Sequence, residues 1–248
     1  MLELAGPAVA LIDEPLHVRV RGLEAAEHDD LLWRARLRDD DGRVWKATAE
    51  RPEHLAAGLA PSKPGTGPVP ALGSLHPVRL DVHVEAADGR GAKRTFERRL
   101  LADGARVRRW REPDVRGTLM LPPPAAEPGA AGRALLVDAR LPDAGSEDPL
   151  RLLSAVVAPL AAAVLASRGD VVLVVGDDLP DLAPALERLA AVPGSESPPR
   201  VVRALGAGDV PLLPPGIPVL GETRAQREAR EDRWWSIARS GPRPSPDA

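Results

Sequence analysis

The chain has 248 residues, 44% of them hydrophobic, and its 33 Lys and Arg against 36 Asp and Glu give a formal net charge of −3. That length holds one large domain or two small ones, and the charge balance excludes a globally basic nucleic-acid binder. With no cysteine, disulfides, thiolate metal sites and a cysteine nucleophile are all excluded, which suits a cytoplasmic protein.

The opening "MLELAGPAVALIDEP" has no basic stretch followed by an apolar one, so it does not read as a signal peptide. Residues 1–118 then alternate with period two, the pattern of half-buried strands. In "LHVRVRG", Leu16, Val18 and Val20 share one face; in "LLWRARL", Leu31, Trp33, Ala35 and Leu37 do; in "VRLDVHV", Val78, Leu80, Val82 and Val84 do. Asp-Gly turns in "DDDGR" and "ADGRG" predict hairpins on either side of a Pro- and Gly-rich segment, 51–77, which reads as a long, partly ordered loop. Short strands with turns at this spacing predict an antiparallel β-sandwich of the Ig-like kind.

The Pro-rich run "LMLPPPAAEPGAAG", 119–132, reads as a linker. Beyond it, over 133–240, strands alternate with helices. "ALLVD" and "VVLVV" are continuous apolar runs, the mark of strands buried on both faces. Between them "LLSAVVAPLAAAVLA", 152–166, is a helix that Pro159 is expected to break, and it falls short of the ~20 residues of a membrane span. "LAPALERLAAV" is a second helix and "RVVRAL" a third strand. Thr223 and Gln226 form a capping-box pattern ahead of a last helix that carries Trp234 and Trp235, one expected in the core and one at its rim. Residues 241–248 read as a disordered tail. Alternating strands and helices predict a parallel sheet, here a short one of about three or four strands.

Three stretches carry a resemblance: "ALIDEPLHVRVRGL", "LLWRARLRDDDGRVWKATA" and "RVRRWREPDVRGTLMLPPP". They are similar to the N-terminal domain of the acyl-CoA thioesterase / bile acid-CoA:amino acid N-acyltransferase family, over most of residues 7–121 apart from the loop. "RALLVDARLPDAG" and "GDVVLVVGDDLPDLAPALERLA" resemble two pieces of that family's α/β-hydrolase domain, and the ending from "RALGAGDVPLL" resembles its close. The resemblance implies a β-sandwich followed by a shortened α/β-hydrolase-like domain. It also implies a chemistry in which a nucleophile attacks the thioester of an acyl-CoA, helped by a His base and an Asp that orients it. On these motifs Asp178 takes the place of the acid, Asp177 being the second candidate, and Asp209 stands where the family has its histidine.

The nucleophile and the base are missing from the sequence. No G-x-[SC]-x-G elbow occurs; of the serines in the second half, Ser146, Ser154, Ser167 and Ser195 among them, none stands between a strand and a helix with glycines on both sides. All five histidines, His17, His28, His54, His76 and His83, lie in the first half. The expectation is a catalytically degenerate relative that holds an acyl-CoA or related thioester. The alternatives are a module that docks on an intact, full-length homologue and a residual thioesterase with an unrecognised base. No cofactor is expected. Asp177, Asp178 and Asp209 offer carboxylates to a hard cation, against the simpler reading of helix caps and an exposed turn. Residues 90–116 hold ten basic and four acidic side chains, suited to the phosphates of CoA or an acidic partner and equally to a solvated edge strand. A shortened sheet with apolar edges leaves an oligomer open.

Overall fold

The computed structural model describes residues 1–23, 31–56, 58–63, 68–124, 132–140, 149–206 and 210–238, with the backbone alone at 149–152 and 196–197. It is mostly sheet with three helices, in two compact units. The first comprises Met1–Leu100 with Pro215–Glu222, and the second Leu101–Pro214 with the segment from Thr223. The first boundary between the units falls within the basic stretch 90–116, between Leu100 and Leu101; the sequence pattern alone puts it at the Pro-rich run 119–132.

The first unit carries β1 (Glu3–Ala5) paired with β3 (Arg19–Arg21). Its larger sheet has six strands: β2 (Val9–Leu11), β8 (Gly91–Arg99), β7 (Val78–Glu85), β4 (Leu32–Arg38), β5 (Val44–Ala49) and β6 (Ala60–Pro61), in that spatial order. The predicted alternation sets the register. Trp33 faces Val84, Ala35 faces Val82, Leu37 faces both Leu80 and Trp45, and Leu80 faces Phe96, all of them buried. The two Asp-Gly hairpins form as expected, between β4 and β5 and between β7 and β8, with Gly42 and Gly89 at positive φ. At the first of them Asp39, 5% exposed, accepts hydrogen bonds from the backbone N–H of Arg43 and of Ala71 and from Trp45 Nε1. Asp39 thus ties the hairpin to the segment read from the sequence as a loose loop. That segment is better ordered than expected where it is described: Leu55, Leu59, Val69 and Leu72 are buried, and these apolar contacts hold it without a regular period.

The second unit is built on one five-stranded sheet. Its order is β13 (Ser195–Arg203), β11 (Gly132–Asp138), β12 (Val171–Val175), β10 (Val115–Leu121) and β9 (Arg106–Glu112). β13, β11 and β12 run parallel, as predicted, and β10 pairs antiparallel with β12. The hairpin β9–β10 therefore extends the sheet of the second unit rather than a sheet of the first. The physical reason lies in β10, which buries Val115 and Leu119 on one face and Met120 on the other, a demand that only an interior strand covered on both sides meets.

Helix α1 (Pro149–Ser167) follows β11, and α2 (Ala183–Ala190) follows β12. Ala185 and Leu189 of α2 pack with Ala134, Leu136, Val171 and Leu173. The alternate strand residues Leu135, Val137, Val172 and Val174 point to the opposite face, where α1 packs on β10, β11 and β12. α1 passes through Pro159 without breaking. The carbonyl deprived of its partner there belongs to Ala155, an exposed position where water can replace the lost bond. Helix α3 (Arg224–Ile237) opens with the predicted capping box between Thr223 and Gln226. Trp234 is fully buried, and half-buried Trp235 lies 5.5 Å from the Arg168 guanidinium carbon. Among the described residues no helix is long and apolar enough to cross a membrane.

Candidate functional site

From β11 the chain leaves toward one face of the sheet, through α1, and from the neighbouring β12 toward the other, through α2. The carboxyl ends of these two strands are thus the topological switch point, the place where open α/β sheets bind their ligands. β11 ends in Asp138-Ala139-Arg140 and β12 in Gly176-Asp177-Asp178. The "GDD" turn stands at that position because the apolar run of β12 is buried on both faces and stops at Gly176.

Asp177 and Asp178 are both exposed. Gly176 leaves room beside Asp178: a Cβ there would lie 3.6 Å from Asp178 Oδ1. The N-cap of the following helix is Leu182, without a side-chain cap; Asp181, one residue earlier, accepts from the N–H of Ala183 at 3.0 Å. Ala139, Ala155, Thr118 and Asp177 line a small crevice of about 250 Å³ at the strand ends. That is slightly below the ~300 Å³ at which ligand pockets begin.

Asp138 and Arg140, which the sequence reading did not single out, are the best-organised polar groups here. Asp138 is 7% exposed, and Arg140 grips it with Nε at 2.9 Å and Nη2 at 3.1 Å, while its own backbone N–H adds a third bond. Arg140 Nη1 donates to the carbonyls of Leu179 and Pro180, each at 3.1 Å. One guanidinium therefore staples the loop after β11 to the loop after β12. Its pKa is raised first by the hydrogen bond to Asp138 and further by the charges of Asp138, Asp181 and Asp177, so it stays protonated at any working pH.

Three serine hydroxyls near the sheet are committed elsewhere, while Thr118 lines the crevice. Ser154, 1% exposed, donates to Ala139 O; Ser167 donates to Ala163 O and accepts from the Ala102 N–H; Ser195 donates to Val192 O. His17, His54, His76 and His83 belong to the first unit, and His28 and Ser146 lie outside the described residues. Asp209 lies outside them too. Its flanks are tied together where Gly206 N–H donates to Val210 O, just past the carboxyl end of β13. Among the described residues no three His, Asp or Glu side chains are grouped to hold a metal ion.

A larger groove lies at the other end of the same unit. About 890 Å³ in volume, it runs between β9 and the C-terminal end of α2, and Arg106, Arg108, Arg109 and Arg188 stand around it. The basic stretch seen in the sequence thus forms one wall of a groove, and the α2 arginine that completes it is distant in the chain.

Compared with models of protein families and with curated proteins, the chain matches none.

Proposed function

We propose that the protein is a catalytically degenerate relative of the acyl-CoA thioesterase / bile acid-CoA:amino acid N-acyltransferase family, its first unit an Ig-like sandwich and its second a shortened hydrolase-like sheet. In this reading it holds an acyl-CoA or related thioester without cleaving it. One observation carries the reading: Asp178 stands at the switch point, the position from which an acid would orient a base, while among the described residues of that unit there is no imidazole, and the crevice beside it is lined by Thr118 and by no serine. An acid alone orients nothing. A missing elbow also removes the backbone N–H that would stabilise the oxyanion, so restoring one side chain would not restore turnover.

The test is thiol release from a panel of short- to long-chain acyl-CoAs, run beside calorimetric binding of the same compounds. A thiol-reactive dye gives no background from a chain without cysteine. Binding without release is the expected result. Release well above a heat-treated control, kept through repurification, overturns the reading and restores the residual thioesterase. Neither binding nor release leaves the docking module, which the exposed arginines of the edge strand β9 favour, and a pull-down with an intact homologue then decides.

A further inference from the structure

We infer that the groove between β9 and α2 is a binding site for a small amphiphilic anion: an acidic head held by Arg106 and Arg108, and an apolar body laid over Trp110. The inference does not rest on the family reading, since it uses only the geometry of the second unit.

Register fixes which side chains face the groove. Arg106 is paired with Leu121, Arg108 with Leu119 and Trp110 with Gly117. Leu119 belongs to the core on the α2 side, so Arg106, Arg108 and Trp110 share that side. Arg111, opposite Arg116, has the other face and stands outside the groove. The floor of the groove is apolar: Trp110, Leu121 and Val192 pack against the core and remain partly exposed. Trp110 is tethered where Nε1 donates to Glu112 at 2.9 Å, and Gly117 opposite carries no side chain.

The charges divide into a satisfied end and an open one. Glu112 already receives Arg188 at 3.2 Å. Arg106 and Arg108 are exposed and paired with no carboxylate among the described residues. Two guanidiniums two residues apart on one strand face stand close enough to grip one anion, and like charges so placed repel until it arrives. Apolar surface left open below unpaired cations matches a ligand with both characters, and the volume lies inside the range of small-molecule sites. A carboxylate and an organic phosphate share this chemistry.

The experiment uses the full-length protein and calorimetric titration, below micelle concentrations, with dodecanoate, dodecyl phosphate, inorganic phosphate and a neutral dodecyl glycoside. Either dodecyl anion is expected to bind at least ~10-fold more tightly than inorganic phosphate or the glycoside, because head and body contribute together. The relative affinity of the two anions tells carboxylate from phosphate. Arg106→Glu with Arg108→Glu is expected to weaken the better ligand by ~10-fold or more. Arg111→Glu with Arg116→Glu, the same charge change on the opposite face of the same hairpin, is expected to leave it within about twofold. Equal weakening by both pairs overturns the proposal in favour of unspecific attraction to a basic edge. Equal binding of the glycoside, or none of either anion, overturns it as well. An acyl-CoA that binds undiminished to the Arg106/Arg108 variant would leave the thioester reading standing while this one fails.

Discussion

Replacing Arg140 by Met keeps the aliphatic stem and removes the staple between the two loops at the switch point. Removing one partner of a fully buried pair costs ~3–5 kcal/mol, whereas an exposed pair is worth ~0–1 kcal/mol. The Arg140 side chain is 25% exposed and that of Asp138 9%, and Asp138 keeps the backbone N–H of residue 140 after the change. The expected loss is therefore intermediate, about 2 kcal/mol, or about 4–8 °C in Tm for a chain of this size. Urea unfolding measures the loss. Hydrogen exchange at the amides of Ala139 and Leu179, which close the two loops on Val175 O and Gly176 O, locates it. The same substitution in an Asp138→Asn background should cost clearly less, with a coupling of ~1–2 kcal/mol. Equal cost in both backgrounds, or unchanged exchange at both amides, would refute the reasoning.

Asp39→Ala should destabilise the first unit by ~2–4 kcal/mol, because Trp45 is fully buried and its indole N–H would lose its acceptor; a fall in the urea midpoint at constant m-value checks this. Gly132→Ala places a Cβ 2.0 Å from Gly169 O, so β11 must shift from its start; a loss of ~3 kcal/mol or more is expected, seen as exchange protection lost in β11 and β12 while the first unit keeps its own. Asp88 is held below the usual carboxylate range, first by the backbone N–H of Arg90 and then by that residue's guanidinium. A depressed carboxylate stabilises above its unfolded pKa, and the effect disappears as pH falls through the folded one. Asp88→Ala should therefore be less stable than the parent at about pH 6 and converge with it at about pH 2, and a difference that persists in acid would contradict the assignment.

Local pattern carried much of the fold. Period-two alternation gave the inward faces of β4 and β7, the Asp-Gly pairs gave their hairpins, and Thr223 with Gln226 gave the start of α3, because each is decided within a few residues. Errors came where distant partners decide. Arg106–Glu112 reads as a strand, yet nothing local says to which sheet it belongs; the two-faced burial of Val115, Leu119 and Met120 settles that. Pro159 reads as a break, yet an exposed carbonyl one turn earlier tolerates the lost bond. Segment 51–77 has no period, and its buried residues, Leu55, Leu59, Val69 and Leu72 among them, are held by tertiary contacts. The aspartate turn was legible because it ends an apolar run. Arg140 was not, since the carbonyls it grips belong to residues 179 and 180, and neither was the groove, whose rim comes from β9 and from Arg188.

The second sheet closes at β9 with arginines on both faces and at β13 with Pro198-Pro199, set where its pairing with β11 shifts register between Arg133 and Leu135. Two copies meeting along β9 would bring like charges together, and along β13 the prolines offer no N–H to a sixth strand in line. A short sheet of Val and Leu is a natural seed for stacking into fibres, and here each end is guarded by a different means. Concentrated protein should therefore stay dispersed at low salt and begin to self-associate along β9 as added salt screens the arginines. What guards both rims of this sheet is chemistry placed on the rims themselves.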